Sequence, residues 1–192
     1  ISYSIKLYED QGIKIENENT EIEILNFLKE RMRNILKLKN IKVDIIEASI
    51  SSHHGDNYLD LYKKNILMNK FISKDVGVNT ISSYKRASNI TDKAGKGITG
   101  RPDAVLFRTE EEKILYERVN EVRKALTVKE SNKDYEKLLI QLSEMKQYTD
   151  NFFDNVVVND ENQNIKNNRL ELLKMFCNTF DSFINFSKLE GL

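Results

Sequence analysis

Hydrophobic side chains recur at intervals of three and four along most of the chain, which is the repeat of one buried helix face. The repeat is clearest after Ile165, where it predicts a core helix that continues to Phe186. Similar repeats predict earlier helices over 20–36, 43–50, 57–71, 75–94, 110–127 and 138–148. No stretch shows the alternation that is typical of a strand, so we expect an all-α fold, an irregular helical bundle.

The amino-terminal stretch differs from the rest of the chain. Its first twenty residues combine the end of a helix over 4–8 with a polar connector that has few apolar positions. Thr20 or a neighbour is expected to cap the helix that follows, because hydroxyl and amide side chains accept a free backbone N–H there. We therefore expect a connector over 1–20 and one helical domain over 21–192.

Two capping signatures and one aromatic segment divide the carboxyl-terminal helices. Thr109 and Glu112 have the spacing of a capping box, in which each side chain accepts a backbone N–H near the other residue. Residues 131–134 form a second capping signature. Residues 151–158 are predicted to form an aromatic turn that leads into the last helix.

A glycine-rich loop precedes the only proline, Pro102. Gly95, Gly97 and Gly100 have the G-x-G-x-x-G spacing of a dinucleotide-binding loop, but such a loop works between a strand and a helix. Here a helix precedes the glycines, and the lysine among them is followed by glycine rather than by the Ser or Thr of a Walker loop. We interpret the segment as a flexible connector with a possible hinge near 95–102.

The composition is that of an ordinary globular protein, since 40% of the 192 residues are hydrophobic and 31% are charged. The apolar runs are much too short to span a membrane. The first residue is Ile rather than Met, which suggests a fragment of a longer polypeptide. The single cysteine, Cys177, excludes an internal disulfide, and its place among core positions predicts a small buried hydrophobe in a reducing, cytoplasmic setting.

The formal net charge is zero, but the charge is unevenly distributed along the chain. Lys and Arg outnumber Asp and Glu by nine to two over 61–101, a net charge of +7. The net charge is −3 over 1–60 and −4 over 102–192. A basic middle between acidic flanks is the distribution expected when one part of a protein contacts phosphates.

The predicted helix over 75–94 has two chemically different faces. One face carries apolar or small residues at steps of three and four, namely Ile81, Tyr84, Ala87, Ile90 and Ala94. The other carries cations, amides and a hydroxyl at the same steps, namely Ser82, Lys85, Arg86, Asn89 and Lys93. We expect the first face to pack and the second to meet a ligand, with a merely solvated face as the alternative.

Few residues are placed to carry out chemistry. The adjacent His53 and His54, followed by Asp56, suggest a metal site, but a helical metal pair requires a spacing of four and the chain has no further histidine. We interpret them as a helix-ending loop. Neither Cys177 nor any serine stands beside a base in the sequence, and no pair of carboxylates is singled out by its spacing. The sequence therefore predicts no catalytic site and no metal site in this chain.

Arg169 lies on the apolar line of the last predicted helix, four residues after Ile165 and four before Leu173. A charge that faces a core is costly unless it is paired. The structural interpretation is an internal ion pair with a carboxylate such as Asp154.

Several motifs occur in an order that resembles a known family. They run from EILNFLKERMRNIL, VDIIEASI and YKRASNI through EEKILYERVNEVRKAL to FFDNVVV, NNRLELL and FINFSKLEG. In this order they resemble the carboxyl terminus of the beta subunit of bacterial two-subunit glycyl-tRNA synthetase, which is an all-helical anticodon-binding domain of the DALR type. The resemblance touches most of the chain.

The resemblance implies that the chain binds the anticodon loop of glycine tRNA, while catalysis with ATP and magnesium belongs to the alpha subunit and a second beta subunit completes a cytoplasmic assembly. Unpaired bases are held by stacking and by their Watson–Crick edges, and Lys and Arg bind phosphates. Glycine anticodons share two cytosines, whose amino group a carboxylate or carbonyl can accept. We assign tRNA contacts to Lys85, Arg86, Asn89 and Lys93, and by resemblance to Asn167, Asn168 and Arg169.

Two other classes of protein fit the same pattern. A helical protein-protein adaptor would use the basic face to bind an acidic partner. An anticodon-binding domain of another synthetase, such as the arginine enzyme, would have a related architecture. Binding to a panel of tRNAs at several salt concentrations distinguishes all three.

Overall fold

The computed structural model describes residues 1–53, 57–95, 97–127 and 134–190, and this part of the chain forms α-helices, two short 3-10 turns and no strand. The helices are α1 (Ser2–Asp10), α2 (Thr20–Leu38), α3 (Val43–Ser52), α4 (Tyr58–Ile72), α5 (Asp75–Ala94), α6 (Glu110–Leu126), α7 (Tyr135–Asn155) and α8 (Gln163–Asp181). The 3-10 turns span Ala104–Leu106 and Phe186–Lys188. The all-α prediction is confirmed.

Helix α8 is the centre of the core, as its apolar repeat predicts. It packs against α5 and α6, and Leu172, Leu173 and Phe176 on its inner face are fully buried. The helix ends at Asp181, however, and not at Phe186. The chain turns after Asp181, and the turn returns Phe183 to the core, where it is 2% exposed. The apolar positions therefore continue past Asp181, where the helix ends, so the repeat predicts a helix that is too long.

The predicted aromatic turn over 151–158 is wrong in its first half, because α7 continues to Asn155. Phe152 is a fully buried helix residue, one turn after Thr149 on the same face. Thr149 is also fully buried, and its hydroxyl donates to the backbone oxygen of Met145. Because Thr149 is polar, it interrupts the hydrophobic repeat, and the repeat therefore does not predict that this helix continues.

The caps agree with the predicted signatures at two helices and differ at a third. Thr109 and Glu112 form the expected capping box at the start of α6. Asp134 caps α7 by accepting the backbone N–H of Lys137, while residues 131–133 lie outside the described part of the chain. Thr20 does not cap α2, because its hydroxyl donates to the backbone oxygen of Asn17.

The two amino-terminal helices lie at the periphery of the bundle. Helix α1 is described in full and buries none of its residues, and α2 buries Leu36 alone. Helices α3 and α4 connect this periphery to the core through Ile45, Ile46 and Leu61, which are at most 1% exposed. The bundle formed by α5 to α8 therefore contains most of the buried side chains.

Candidate nucleic-acid interface

The orientation of α5 is fixed by the residues on its buried face. Tyr84 packs against the rings of Phe180 and Phe186, and its hydroxyl donates to the carboxylate of Asp181 at 3.0 and 3.1 Å. Gly77 passes so close to the backbone of Phe71 that no β-carbon fits there. These contacts hold α5 against α4 and α8 and so determine which residues it exposes.

The Tyr84–Asp181 hydrogen bond is partly buried. Burial raises the pKa of the Asp181 carboxyl, although the hydrogen bonds from Tyr84 and from the backbone N–H of Phe186 oppose that shift. Burial and the nearby Asp181 charge raise the pKa of the Tyr84 hydroxyl. The hydroxyl therefore remains a hydrogen-bond donor throughout the neutral range, and the helix is anchored there.

The polar face of α5 lies opposite these buried residues. The structure brings Lys85, Arg86, Asn89 and Lys93 onto one side of the helix; Lys85 is half-buried and the other three are exposed. We call these four residues the α5 strip. In the described part of the chain, no carboxylate oxygen lies within 4.0 Å of the charged groups of Lys85, Arg86 and Lys93. Their charges are therefore available to an external anion.

Arg86 is the member of the α5 strip whose orientation is fixed by a neighbour. Its guanidinium carbon lies 4.1 Å from the ring centre of Phe153, on α7. This is a short cation–π contact, which orders a long and otherwise mobile side chain. Because Arg86 is exposed, the guanidinium remains accessible to a second planar group.

Phe153 has a part in the site that the sequence analysis did not assign to it. The aromatic segment is predicted as a turn, whereas the structure places Phe153 in α7, next to the buried face and half-buried. In the sequence, Phe153 is recognisable only as an aromatic residue one position after the apolar repeat of its helix. Recognising its role requires knowing that α5 and α7 are packed together.

The second predicted group, at the start of α8, divides into an exposed and a buried part. Asn167 is exposed and accepts a hydrogen bond from Gln163 at 2.7 Å. Asn168 is 5% exposed and exchanges two hydrogen bonds with the backbone of Asp103, at 2.7 and 2.9 Å. Asn168 therefore attaches the segment before α6 to α8, and its polar atoms are not presented to a ligand.

Arg169 is also internal, being 5% exposed. Its guanidinium donates to Glu112 at 2.9 Å, to Asp160 at 2.7 Å and to the backbone oxygen of Val157 at 2.9 Å. Arg169 therefore forms an internal ion pair, as its structural interpretation predicts, but its partners are Glu112 and Asp160 and not Asp154. Because α7 extends to Asn155, Asp154 lies on its exposed side.

The burial of Asn168 and Arg169 counts against the tRNA contacts that the resemblance assigns to them. An RNA base or phosphate needs an accessible polar atom, and the side chains of both residues are committed to internal partners. Asn168 instead joins α8 to the segment before α6. Arg169 joins α8 to the first turn of α6 and to the segment between α7 and α8. Of the second group, Asn167 alone remains placed to contact a ligand.

The carboxylate of Glu171 helps to attach the connector after α5 to α8. Glu171 accepts hydrogen bonds from the backbone N–H groups of Thr99, Gly100 and Arg101. Burial alone would raise the pKa of the Glu171 carboxyl, but these donors outweigh burial and hold the pKa below its usual value. Gly100 has a φ of +85°, a conformation that favours glycine. The predicted connector thus has a defined attachment point, while its role as a hinge stays a prediction.

The remaining candidate residues do not form a second site in the described part of the chain. No group of three His, Cys, Asp or Glu side chains is close enough to hold a metal ion among the described residues. His53 follows α3, as expected of a helix-ending residue, while His54 and Asp56 lie outside the described residues. Cys177 is 1% exposed, which confirms the prediction of a buried hydrophobe. None of the described helices is long and apolar enough to cross a membrane.

Comparison with protein families identifies the class of this fold. The DALR anticodon binding domain matches residues 80–187, more than half of the chain, and the chain belongs to that family. The match begins within α5 and includes the whole α5 strip. The resemblance found in the sequence is thereby confirmed.

Individual relatives are beta subunits of glycine-tRNA ligase. Those of Rickettsia africae (strain ESF-5) and Rickettsia prowazekii (strain Madrid E) are 36% and 34% identical over 189 residues, which is 98% of this chain and 27% of each relative. That of Sulfurihydrogenibium sp. (strain YO3AOP1) is 36% identical over 168 residues, 88% of this chain and 24% of the relative. The chain thus spans about a quarter of the length of these curated relatives.

Proposed function

We propose that this chain binds the anticodon loop of glycine tRNA through the α5 strip, as the anticodon-binding part of a glycine-tRNA ligase beta subunit. The observation that carries the proposal is the α5 strip itself, whose three cations share one exposed helix face and have no carboxylate partner among the described residues. Membership of the anticodon-binding family and relatives named as beta subunits support the choice of ligand.

Each residue of the α5 strip has a role suited to its chemistry. An unpaired base stacks on the guanidinium of Arg86, which Phe153 holds in place from the other side. Lys85 and Lys93 bind backbone phosphates, and Asn89 lies between them and donates or accepts a hydrogen bond at a base edge. Asn167, which is exposed at the start of α8, is a further polar contact.

The remaining parts of the reaction belong elsewhere in the assembly. A subunit named beta implies a second kind of subunit, and we propose that an alpha subunit carries out the ATP- and magnesium-dependent glycylation of the tRNA. This chain then supports ligation by selecting the tRNA and holding it. A second beta subunit and a cytoplasmic location complete the proposal.

The experiment measures binding of this chain to tRNA transcripts at several salt concentrations. We expect glycine tRNA to bind with an affinity that falls with salt and with replacement of either anticodon cytosine. Lys85→Ala combined with Arg86→Ala should weaken binding and reduce the slope of log K against log salt by about 0.7, since Lys85 loses one phosphate contact on a single strand while Arg86 loses a stacked base. The matched control is Lys6→Ala with Lys14→Ala, two exposed lysines in the peripheral amino-terminal segment, which should leave the slope unchanged.

The same experiment distinguishes the alternatives. An affinity for tRNA that does not change when the anticodon cytosines are replaced contradicts the proposal and favours a protein-protein adaptor with a basic face. Tighter binding of arginine tRNA than of glycine tRNA favours an anticodon-binding domain of another synthetase. Loss of binding in the control variant would show that the contact surface lies elsewhere on the chain.

A further inference from the structure

A groove of about 420 Å³ opens beside the amino-terminal half of the α5 strip. It lies where the start of α3, the end of α4, the first half of α5 and the carboxyl-terminal segment of the described chain meet, and Lys85 lines it. Its volume is within the range of about 300–1,000 Å³ that is typical of small-ligand pockets. The groove therefore offers room for a single base next to residues already placed in the proposed interface.

The chemistry of the groove is that of a site for a flat, polar ring. Ile72 and Ile81 supply an apolar surface, since both line the groove and are almost entirely buried. Lys42 and Lys85 supply donors, and Glu190 supplies a carboxylate acceptor. In the described part of the chain, no ion pair within 4.0 Å joins Glu190 to either lysine, so the acceptor and the donors remain available to a ligand.

The backbone on the Glu190 side of the groove is held by two contacts. Leu189 is 2% exposed and anchors the chain in the core. The backbone N–H of Glu190 donates to the carboxylate of Asp44, in the first turn of α3, at 2.9 Å. These contacts use no side-chain atom of Glu190, so its carboxylate stays available to a ligand.

We infer that this groove binds one cytosine of the anticodon and that Glu190 distinguishes cytosine from uracil. The Watson–Crick edge of cytosine presents one amino donor beside two acceptors, the ring nitrogen and the carbonyl oxygen. The carboxylate of Glu190 accepts from the amino group, and the ammonium group of Lys42 donates to the acceptors, while Lys85 binds the phosphate beside the base. This inference rests on the proposed function and specifies how the proposed interface selects its tRNA.

Uracil does not match the same set of groups. It presents a carbonyl oxygen where cytosine has the amino group, and that oxygen would face the carboxylate of Glu190. Two acceptors placed together cannot form a hydrogen bond, and the charge of the carboxylate repels the carbonyl oxygen. The two lysines and one carboxylate leave the groove with a net positive charge, which favours the phosphates that flank the base.

The test compares glycine tRNA with variants in which one anticodon cytosine at a time is replaced by uracil, binding each to this chain. The wild-type chain should prefer cytosine at one of the positions, and Glu190→Gln should reduce that preference about tenfold, because an amide can donate to uracil as well as accept from cytosine. Glu16→Gln makes the same charge change at an exposed residue of the amino-terminal segment and should leave the preference unaltered.

A charge-reversal variant distinguishes a loss of base selection from a loss of structure. Glu190→Lys replaces the acceptor by a donor, so it should abolish the preference for cytosine at that position while the chain still binds tRNA, a combination that an unfolded protein does not show. A wild-type preference for cytosine that Glu190→Gln and Glu190→Lys leave intact overturns this inference while the proposed function stands. Equal binding of all the tRNAs by the wild-type chain overturns both.

Discussion

Replacement of Arg169 by Ala tests the interpretation of this residue as a structural element. Arg169 and Glu112 have side chains that are 6% and 0% exposed, and their ion pair connects α8 to the start of α6. Truncation leaves the Glu112 carboxylate buried, with the backbone N–H groups of Arg108 and Thr109 as its remaining donors. Asp160 is more exposed and can regain water.

The expected loss in the free energy of unfolding follows from this difference between the buried Glu112 and the more exposed Asp160. Breaking a buried pair on one side costs about 3–5 kcal/mol, and we expect roughly 3 kcal/mol because Glu112 keeps two donors. For a protein of this size, a loss of about 1 kcal/mol lowers the melting temperature by about 2–4 °C, so the melt should fall by roughly 6–12 °C.

The assay is urea unfolding followed by far-UV circular dichroism, together with a thermal melt. The matched control is Arg118→Ala, which removes an exposed pair with Glu121 on α6 and should cost less than about 1 kcal/mol. A paired variant, Arg169→Met with Glu112→Gln, should recover part of the loss, because no uncompensated charge remains buried and Gln can still take part in the capping box.

Two results would refute this reasoning. Equal, small losses in Arg169→Ala and Arg118→Ala would show that the buried pair contributes no more than a surface pair. An unaltered melt combined with lost tRNA binding would show that Arg169 contacts the RNA after a rearrangement that exposes it.

Three further predictions concern separate parts of the molecule. Phe153→Leu should weaken tRNA binding more than it lowers stability, because it removes the ring that orders Arg86 but keeps an apolar side chain; equal affinity in a filter-binding assay would count against the stacking role. Cys177 should resist iodoacetamide in the folded protein and react on unfolding, because burial raises the pKa of its thiol to about 12; rapid native labelling would contradict this. The folded pKa of Glu171 lies below its unfolded value, so the stabilisation it provides is present above the unfolded pKa and lost as pH falls through the folded pKa; Glu171→Gln should flatten this acid limb of a stability profile.

The helices could be predicted well where one apolar face is continuous. Residues 75–94 are predicted as a helix and α5 spans Asp75–Ala94, because Ile81, Tyr84, Ala87 and Ile90 keep the helical repeat although Thr80, Ser83 and Thr91 are buried beside them. The prediction fails where a polar residue enters the core, as Thr149 does in α7, or where a turn returns Phe183 to the core. Periodicity reports which residues are buried, and it locates a helix only while the backbone remains regular.

The candidate site could be predicted as a helix face but not as an arrangement of residues from several elements. The α5 strip follows from one helical repeat, and the structure places all four of its members on one side. Phe153 and Glu190 join the proposed interface only through packing between segments far apart in sequence, and the pairing of Arg169 with Glu112 spans 57 positions. No local pattern encodes such contacts, because they arise only when distant segments pack together.

Site-directed photo-crosslinking tests whether the anticodon loop lies on the α5 strip, as we propose. A photoreactive amino acid at position 89 should crosslink to glycine tRNA, and primer extension should locate the crosslink within the anticodon loop. The same group at position 34, on the exposed side of α2, should give no crosslink. A crosslink from position 89 to the acceptor stem, or equal labelling from both positions, would contradict the account.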